Sequence, residues 1–313
     1  MSVHVCEKEG VPGMAVLQVE HLTKDYGGGK GIFDVSFAID KGEVFGFLGP
    51  NGAGKTTTIR HILGFIKPER GGASVNGLDC WSQPENIQKD LGYLPGEIAF
   101  PGDMTGSAFI RLMAELRGLK DMRKADSLIA RFGLDPSGRL KRMSKGMKQK
   151  IGLVCAFMHD PAILVLDEPT SGLDPLMQHT FVDLVDEEKA AGKTILMSSH
   201  MFDEVERTCD RVAILKQGRL VSTMGTEDLR HARQKVYKLA FADAAQFEAF
   251  RCEPLLFTEI HPEKRQVKVA VRDEDINAFI RLLSGYTLLY LAEVKRTLED
   301  VFLQFYGGDG HVQ

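Results

Sequence analysis

The run Gly49-Pro50-Asn51-Gly52-Ala53-Gly54-Lys55-Thr56 follows directly on Val44-Phe45-Gly46-Phe47-Leu48. The five residues Val44–Leu48, bounded by Gly42 and Gly49, predict a strand buried on both faces. The next residues predict a tight glycine-rich loop and then a helix from about Gly54 to Gly64, with Ile59, Ile62 and Leu63 inward. Glycines at this spacing let the backbone curl so that successive N–H groups point at one place. The helix start adds partial positive charge there. A strand, this loop and a helix together make a cradle for phosphate. Lys55 is placed to reach β- and γ-phosphates as a point charge. The Thr56 hydroxyl suits Mg²⁺, and Thr57 offers one more phosphate contact. The chain is thereby committed to an α/β fold whose sheet ends at this loop.

The rest of the first two thirds agrees. Strands at Ile163–Leu166, Thr194–Met197 and Arg211–Leu215 alternate with helices at Leu176–Ala191 and Met201–Cys209, which implies a parallel sheet covered on both faces. Upstream, Ala15–Val19 and Ile32–Ile39 read as strands around a turn at Gly27–Gly31, with Phe33, Val35, Phe37 and Ile39 on one face. The stretch Thr105–Met158 is helix-rich, with Phe109, Leu112, Met113 and Leu116, then Leu128, Ile129 and Phe132, as expected inward positions. After Gly225 the order becomes βαββαβ: strands at Val236–Phe241, Leu255–Ile260, around Val267–Val271 and at Thr287–Val294, helices at Ala244–Phe250 and Glu274–Leu283. Ile276, Phe279, Ile280 and Leu283 form the expected inner face of the latter, and a helix at Leu298–Phe305 closes the chain. That order predicts a small ferredoxin-like α+β domain with one appended helix. The expected divisions are a tail at 1–13, a nucleotide-binding domain at 14–230, the α+β domain at 235–306 and a tail at 307–313.

Composition narrows the function classes. A chain of 313 residues suits two domains at about 150 residues each. Thirty-nine basic against 43 acidic residues leave a net charge of −4, so no global basic field advertises nucleic acid. No apolar run approaches the roughly 18 residues of a spanning helix, and the first residues lack the apolar core of a secretory signal. Five cysteines without a CxxC spacing fit a reducing cytosol better than a zinc site or a thiol nucleophile.

A second constellation sits where the acidic strand ends. Ile163-Leu164-Val165-Leu166-Asp167-Glu168 carries two carboxylates at the carboxyl edge of the sheet, where ligands bind in such folds. Asp167 is placed to hold Mg²⁺ through its water shell, which leaves Glu168 free to orient and polarise an attacking water. His200, after Ser198-Ser199, is placed to hydrogen-bond a γ-phosphate and that water.

Upstream of the acidic strand lies Met143-Ser144-Lys145-Gly146-Met147-Lys148-Gln149-Lys150, which resembles the signature of ATP-binding cassette (ABC) ATPases. The other motifs fall in that family's order. Tyr26 matches the aromatic that stacks on adenine, Ser171-Gly172-Leu173-Asp174 the D-loop, and His200 the switch histidine. The resemblance covers about residues 15–230. It implies a P-loop cassette with a parallel-sheet core, an antiparallel β subdomain and a helical subdomain. It further implies hydrolysis of MgATP between two copies of the chain: Ser144 and the N–H groups of Lys145 and Gly146 on one copy meet the γ-phosphate held by the other, with Asp174 beside it. Separate membrane-spanning subunits are implied as partners. The chain is then cytoplasmic and peripheral on the inner face of the cell membrane, and no nucleic acid is expected. The alternative class is a soluble ABC ATPase acting on the ribosome or on nucleic acid.

Two departures stand out. The family's Q-loop glutamine is expected after Gly92-Tyr93-Leu94-Pro95, where this chain has Gly96 and then Glu97; Glu97 is the candidate replacement ligand for the metal. In the signature, one glycine, Gly146, remains in the cradle, with Lys145 in place of the first. The segment Gly96–Gly106, with Ile98, Phe100 and Met104, is the expected docking surface for a membrane partner. Thr297-Leu298-Glu299-Asp300-Val301-Phe302 resembles the closing helix of the ATPase subunits of daunorubicin- and bacitracin-resistance exporters.

Overall fold

The computed structural model describes residues 15–101, 103–230, 234–294 and 297–306, so the expected tails lie outside the described residues. The chain divides into two units, Met1–Gly225 and Thr226–Gln313.

The first unit opens with β1 (Ala15–Asp25) and β2 (Gly31–Asp40), paired antiparallel. Asp34 takes a left-handed backbone, and the pairing shifts register beside it. A one-residue slip turns the alternation over. Ile32, Val35 and Ile39 are therefore the buried residues, whereas Phe33 was expected in line with the inner face. Phe33 instead lies under the Arg219 guanidinium, 5.6 Å from its ring centre. Phe37 stacks on Phe45 as expected of an inner position, with ring centres 5.3 Å apart.

Then come the wholly buried β3 (Val44–Leu48), α1 (Lys55–Ile62), β4 (Arg70–Val75), β5 (Leu78–Asp79), α2 (Pro84–Lys89) and β6 (Leu91–Leu94). The helical part holds α3 (Gly106–Leu116), α4 (Arg123–Arg131) and α5 (Lys145–Phe157). The unit ends with β7 (Ile163–Asp167), α6 (Pro175–Ala190), β8 (Thr194–Ser199), α7 (Phe202–Thr208), β9 (Arg211–Lys216) and β10 (Arg219–Gly225). The main sheet runs β10-β9-β3-β8-β7-β6; its last five strands are parallel and β10 is an antiparallel edge. The second sheet runs β2-β1-β4-β5 and is antiparallel. One apolar core joins Leu17, Val19 and Leu22 of β1 to Ile59 and Ile62 of α1 and Phe45 and Phe47 of β3.

One expectation about the helical part is corrected. α3 buries Gly106, Ile110 and Ala114 rather than a face of Phe109, Leu112, Met113 and Leu116, and Leu116 is exposed. The reason is close approach. A Cβ on Gly106 would lie 2.8 Å from Ile151 Cδ1 of α5, so the narrow side of α3 takes the contact. Phe109 packs edge-on against Phe100, ring centres 4.8 Å apart. Nearby, Phe100 packs on Phe109 and Ile98 fills the space a side chain at Gly152 would occupy, 2.5 Å from its Cβ position, while both stay partly exposed.

The second unit comprises α8 (Thr226–Arg230), β11 (Gln234–Phe241), α9 (Ala244–Phe250), β12 (Leu256–His261), β13 (Gln266–Arg272), α10 (Ile276–Leu283), β14 (Leu288–Val294) and α11 (Leu298–Tyr306). Its sheet runs β12-β13-β11-β14, every pairing antiparallel. Phe241, Phe247, Phe250, Val267, Val269 and Phe279 make its core. A tight turn at Asp273–Asp275 delays α10 to Ile276, and Phe279 and Leu283 face inward while Ile280 is exposed, contrary to expectation.

Candidate active site

The phosphate loop is shaped by what its glycines allow. Gly52 and Gly54 have φ of 83° and 110°, conformations a side chain disfavours. A Cβ on Gly54 would also lie 2.8 Å from Ile32 Cγ2, and one on Gly49 would lie 2.7 Å from the Leu215 carbonyl oxygen. The loop is stitched internally by Ala53 N–H donating to the Pro50 carbonyl at 3.1 Å. It is held from behind by Gly218 N–H donating to the Ala53 carbonyl at 2.9 Å. Pro50, Asn51 and Gly52 form its exposed tip, and Thr57 is half-buried behind it.

Lys55, the first residue of α1, is buried. Its Nζ donates to the Gly49 carbonyl at 2.6 Å and reaches the Pro50 carbonyl at 3.4 Å and Glu168 Oε1 at 3.1 Å. Thr56 Oγ1 donates to Asp167 Oδ2 at 2.7 Å. Asp167, buried at the end of β7, also accepts from Ser198 Oγ of β8. Glu168 has a left-handed backbone, φ 51°, fixed by its N–H donating to the Ser198 carbonyl at 3.1 Å and to Ser198 Oγ at 3.0 Å. That turn aims its carboxylate at Lys55 on one side and at His200 Nδ1, 2.5 Å from Oε2, on the other. An ionised carboxylate only accepts, so Nδ1 carries a proton and donates it to Oε2. Burial, then the nearby Asp167 charge, pushes the Tyr93 phenol up to about 12. Five expected residues — Lys55, Thr56, Asp167, Glu168 and His200 — thus form one hydrogen-bonded and ion-paired constellation.

Glu97 is not part of it. It is exposed and makes no hydrogen bond or ion pair among the described residues. Gly96 is the residue that abuts the Asp167 carboxylate: a Cβ there would lie 3.2 Å from Asp167 Oδ2. Gly96, and not the exposed Glu97, is thus the residue of this pair set against Asp167.

The signature residues lie elsewhere in the same unit. Ser144 caps α5, its Oγ accepting from Met147 N–H at 3.2 Å. Lys145 Nζ donates to Ser171 Oγ at 2.7 Å, so its charge is turned toward the Ser171–Asp174 loop of its own chain. Gly146 packs against Gly172, and Asp174 ends that loop by capping α6, Oδ1 accepting from Met177 N–H at 3.0 Å. No hydrogen bond or ion pair among the described residues joins Ser144–Gly146 to the phosphate loop. Tyr26 is half-exposed with Lys24 Nζ 5.8 Å from its ring centre.

Sequence reasoning missed Gln149. It is buried, and its Nε2 donates to the Glu168 and Pro169 carbonyls at 3.1 and 2.9 Å. The available signal was a polar side chain on the stripe that continues through Leu153 and Phe157 of α5.

With this geometry in place, the relatives decide the family. An uncharacterized ABC transporter ATP-binding protein of Methanocaldococcus jannaschii is 34% identical over 292 residues, 92% of this chain and 98% of that one. The chain belongs to the ABC transporter ATP-binding family. Residues 32–171 match the family described as ABC transporter. The probable multidrug ABC transporter ATP-binding protein YbhF of Escherichia coli is 36% identical over 227 residues, 71% of this chain; the alignment spans only 39% of YbhF's length. A solved ATP-binding subunit of an ABC transporter is 37% identical with a TM-score of 0.64, covering 69% of this chain and 92% of that one.

Proposed function

We propose that this chain hydrolyses MgATP as the ATP-binding subunit of an ABC exporter. The observation that carries it is the linked set Lys55–Glu168–His200 beside Thr56–Asp167, at the carboxyl edge of a parallel sheet and under a glycine loop. Lys55 binds the β- and γ-phosphates. Glu168 accepts the proton of the attacking water, and His200, its Nδ1 proton engaged by Glu168, offers its other face to the γ-phosphate. Thr56 and Asp167 are two oxygen donors 2.7 Å apart, a hard, buried pair that suits Mg²⁺. When bound there, the ion neutralises phosphate charge.

Each chain has one phosphate loop and one Ser144 tip, and no hydrogen bond or ion pair among the described residues joins them. A homodimer in which each tip caps the other copy's nucleotide completes two sites at once. The N–H groups at the start of α5 suit a γ-phosphate, with Asp174 nearby. Tyr26 offers an exposed ring for adenine. Membrane-spanning subunits are this chain's partners in transport, with the chain on the cytoplasmic face; no helix among the described residues is long and apolar enough to cross a membrane. Export, and kinship with the daunorubicin- and bacitracin-resistance ATPases, is supported by the multidrug description of YbhF and by the Thr297–Phe302 sequence, which leads into α11. The strand order of the second unit supports a ferredoxin-like fold for it.

The test is phosphate release by the purified chain together with its co-purification from solubilised membranes. ATP hydrolysis and a multi-spanning membrane protein are expected. Bound RNA or DNA in place of a membrane protein would overturn the transport reading.

A further inference from the structure

Behind Glu168 and His200 lies a carboxyl group that the chemistry above does not use. Glu204, in the first turn of α7, is 6% exposed. Its Oε2 accepts from Ser199 Oγ at 2.6 Å and from Thr170 Oγ1 at 3.1 Å, while Oε1 has no hydrogen-bond partner among the described residues. Ser199 immediately precedes His200, and Thr170 follows Glu168 by two residues. The Ser199 hydroxyl accepts from Met201 N–H at 3.0 Å, which directs its own proton at Glu204. Thr208 Oγ1 donates to the Glu204 carbonyl at 2.8 Å and fixes that turn of the helix.

Two features make this arrangement more than packing. A half-satisfied buried carboxyl is costly, and an apolar side chain would serve the core of α7 better. Glu168 holds a left-handed backbone that persists only where the flanking segments over-determine it. Ser198 secures it from one side, and Thr170, through Glu204, is tied to the residue next to His200 on the other.

We propose that Glu204 is a positioning residue for ATP hydrolysis: it locks the segment bearing His200 to the segment bearing Glu168, and so keeps His200 Nδ1 on Glu168 Oε2. The inference rests on the ATPase reading. A cavity of about 180 Å³ beside Glu204, lined in part by Gln178, His179, Met201 and Arg207, leaves room for an altered side chain at this position.

Steady-state hydrolysis by the full chain tests it. Glu204→Leu removes the acceptor and should lower kcat by ~10-fold while KM for MgATP stays within about 2-fold, because nucleotide contacts are untouched. Glu204→Gln keeps an oxygen for both hydroxyls and should return kcat to within about 3-fold of the unsubstituted chain. Thr170→Val should reproduce part of the loss and decides the matter if Glu204→Leu does not fold. Unchanged kcat in folded Glu204→Leu, a Glu204→Gln as slow as Glu204→Leu, or a KM that rises in step with the loss would each overturn the proposal. Nucleotide binding by the unsubstituted chain reports separately on the ATPase reading.

Discussion

Gly146 meets Gly172 with no room for a methyl group between them: a Cβ on Gly146 would lie 2.5 Å from the Gly172 carbonyl oxygen. The start of α5 is thereby pressed onto the loop that runs to Asp174. Gly146→Ala must push the two apart, at about 1–3 kcal/mol for overpacking against rigid backbone. Denaturant titration should show that loss, and nucleotide-dependent dimer should weaken with it. A variant as stable as the parent would mean that the contact is loose.

Lys55 is buried between two loop carbonyls and Glu168. Lys55→Ala removes the phosphate's cation and leaves Glu168 without its countercharge. We expect kcat/KM for MgATP to fall by ~100-fold or more. Hydrolysis at the parental rate would contradict the role given to this side chain.

Glu168→Gln preserves shape while removing the proton acceptor. Nucleotide binding should survive, turnover should drop by ~10²–10⁴-fold, and the chain should accumulate as dimer in MgATP. Size-exclusion chromatography with ATP reads this directly; a purely monomeric profile counts against the paired-chain arrangement.

Because Gly96, not Glu97, abuts Asp167, Glu97→Ala should leave kcat within about 2-fold. Gly96→Gln brings a carboxamide beside Asp167 with a Cβ contact of 3.2 Å, which calls for only a small adjustment, and should keep hydrolysis active. A large loss in Glu97→Ala would reinstate Glu97 as a functional group.

Glu204 also sets a pH dependence of stability. Burial, above all, pushes its carboxyl up from 4.5 to about 7, with the Glu168 charge adding to the rise and the Ser199, Thr170 and His200 contacts opposing it. Below pH 4.5 the group is protonated folded and unfolded, and costs nothing. From there to about pH 7 the unfolded chain releases a proton that the folded chain retains, so stability falls as pH rises, by ~3 kcal/mol at most. Glu204→Gln lacks this decline. Its stability gain over the parent in chemical denaturation should be largest near pH 8 and vanish near pH 4; a gain independent of pH would refute the assignment.

The sequence carried the cradle and its acidic partners because their chemistry demands fixed residue types at fixed spacing, on a strand too apolar to be anything but central. What it could not carry arises from segments meeting at a distance. Lys145 finds Ser171 26 residues away, Gln149 finds Glu168 19 away, and Glu204 finds Thr170 34 away. None of these pairs leaves a period or a spacing to detect. The inner faces of β2 and α3 went astray for a local reason: Asp34 slips the register of one, and Gly106 lets the other lie closer to α5 than large side chains permit.

The Lys55 ammonium donates to the Gly49 and Pro50 carbonyls and is ion-paired with the Glu168 carboxylate 3.1 Å away. A polyanion seated in the loop does not meet an idle cation; it competes for a charge already paired, and its natural rival is the other anion, Glu168. Loading the triphosphate and unshackling the base are therefore two descriptions of a single exchange of partners, which guards the carboxylate until there is something for it to act upon.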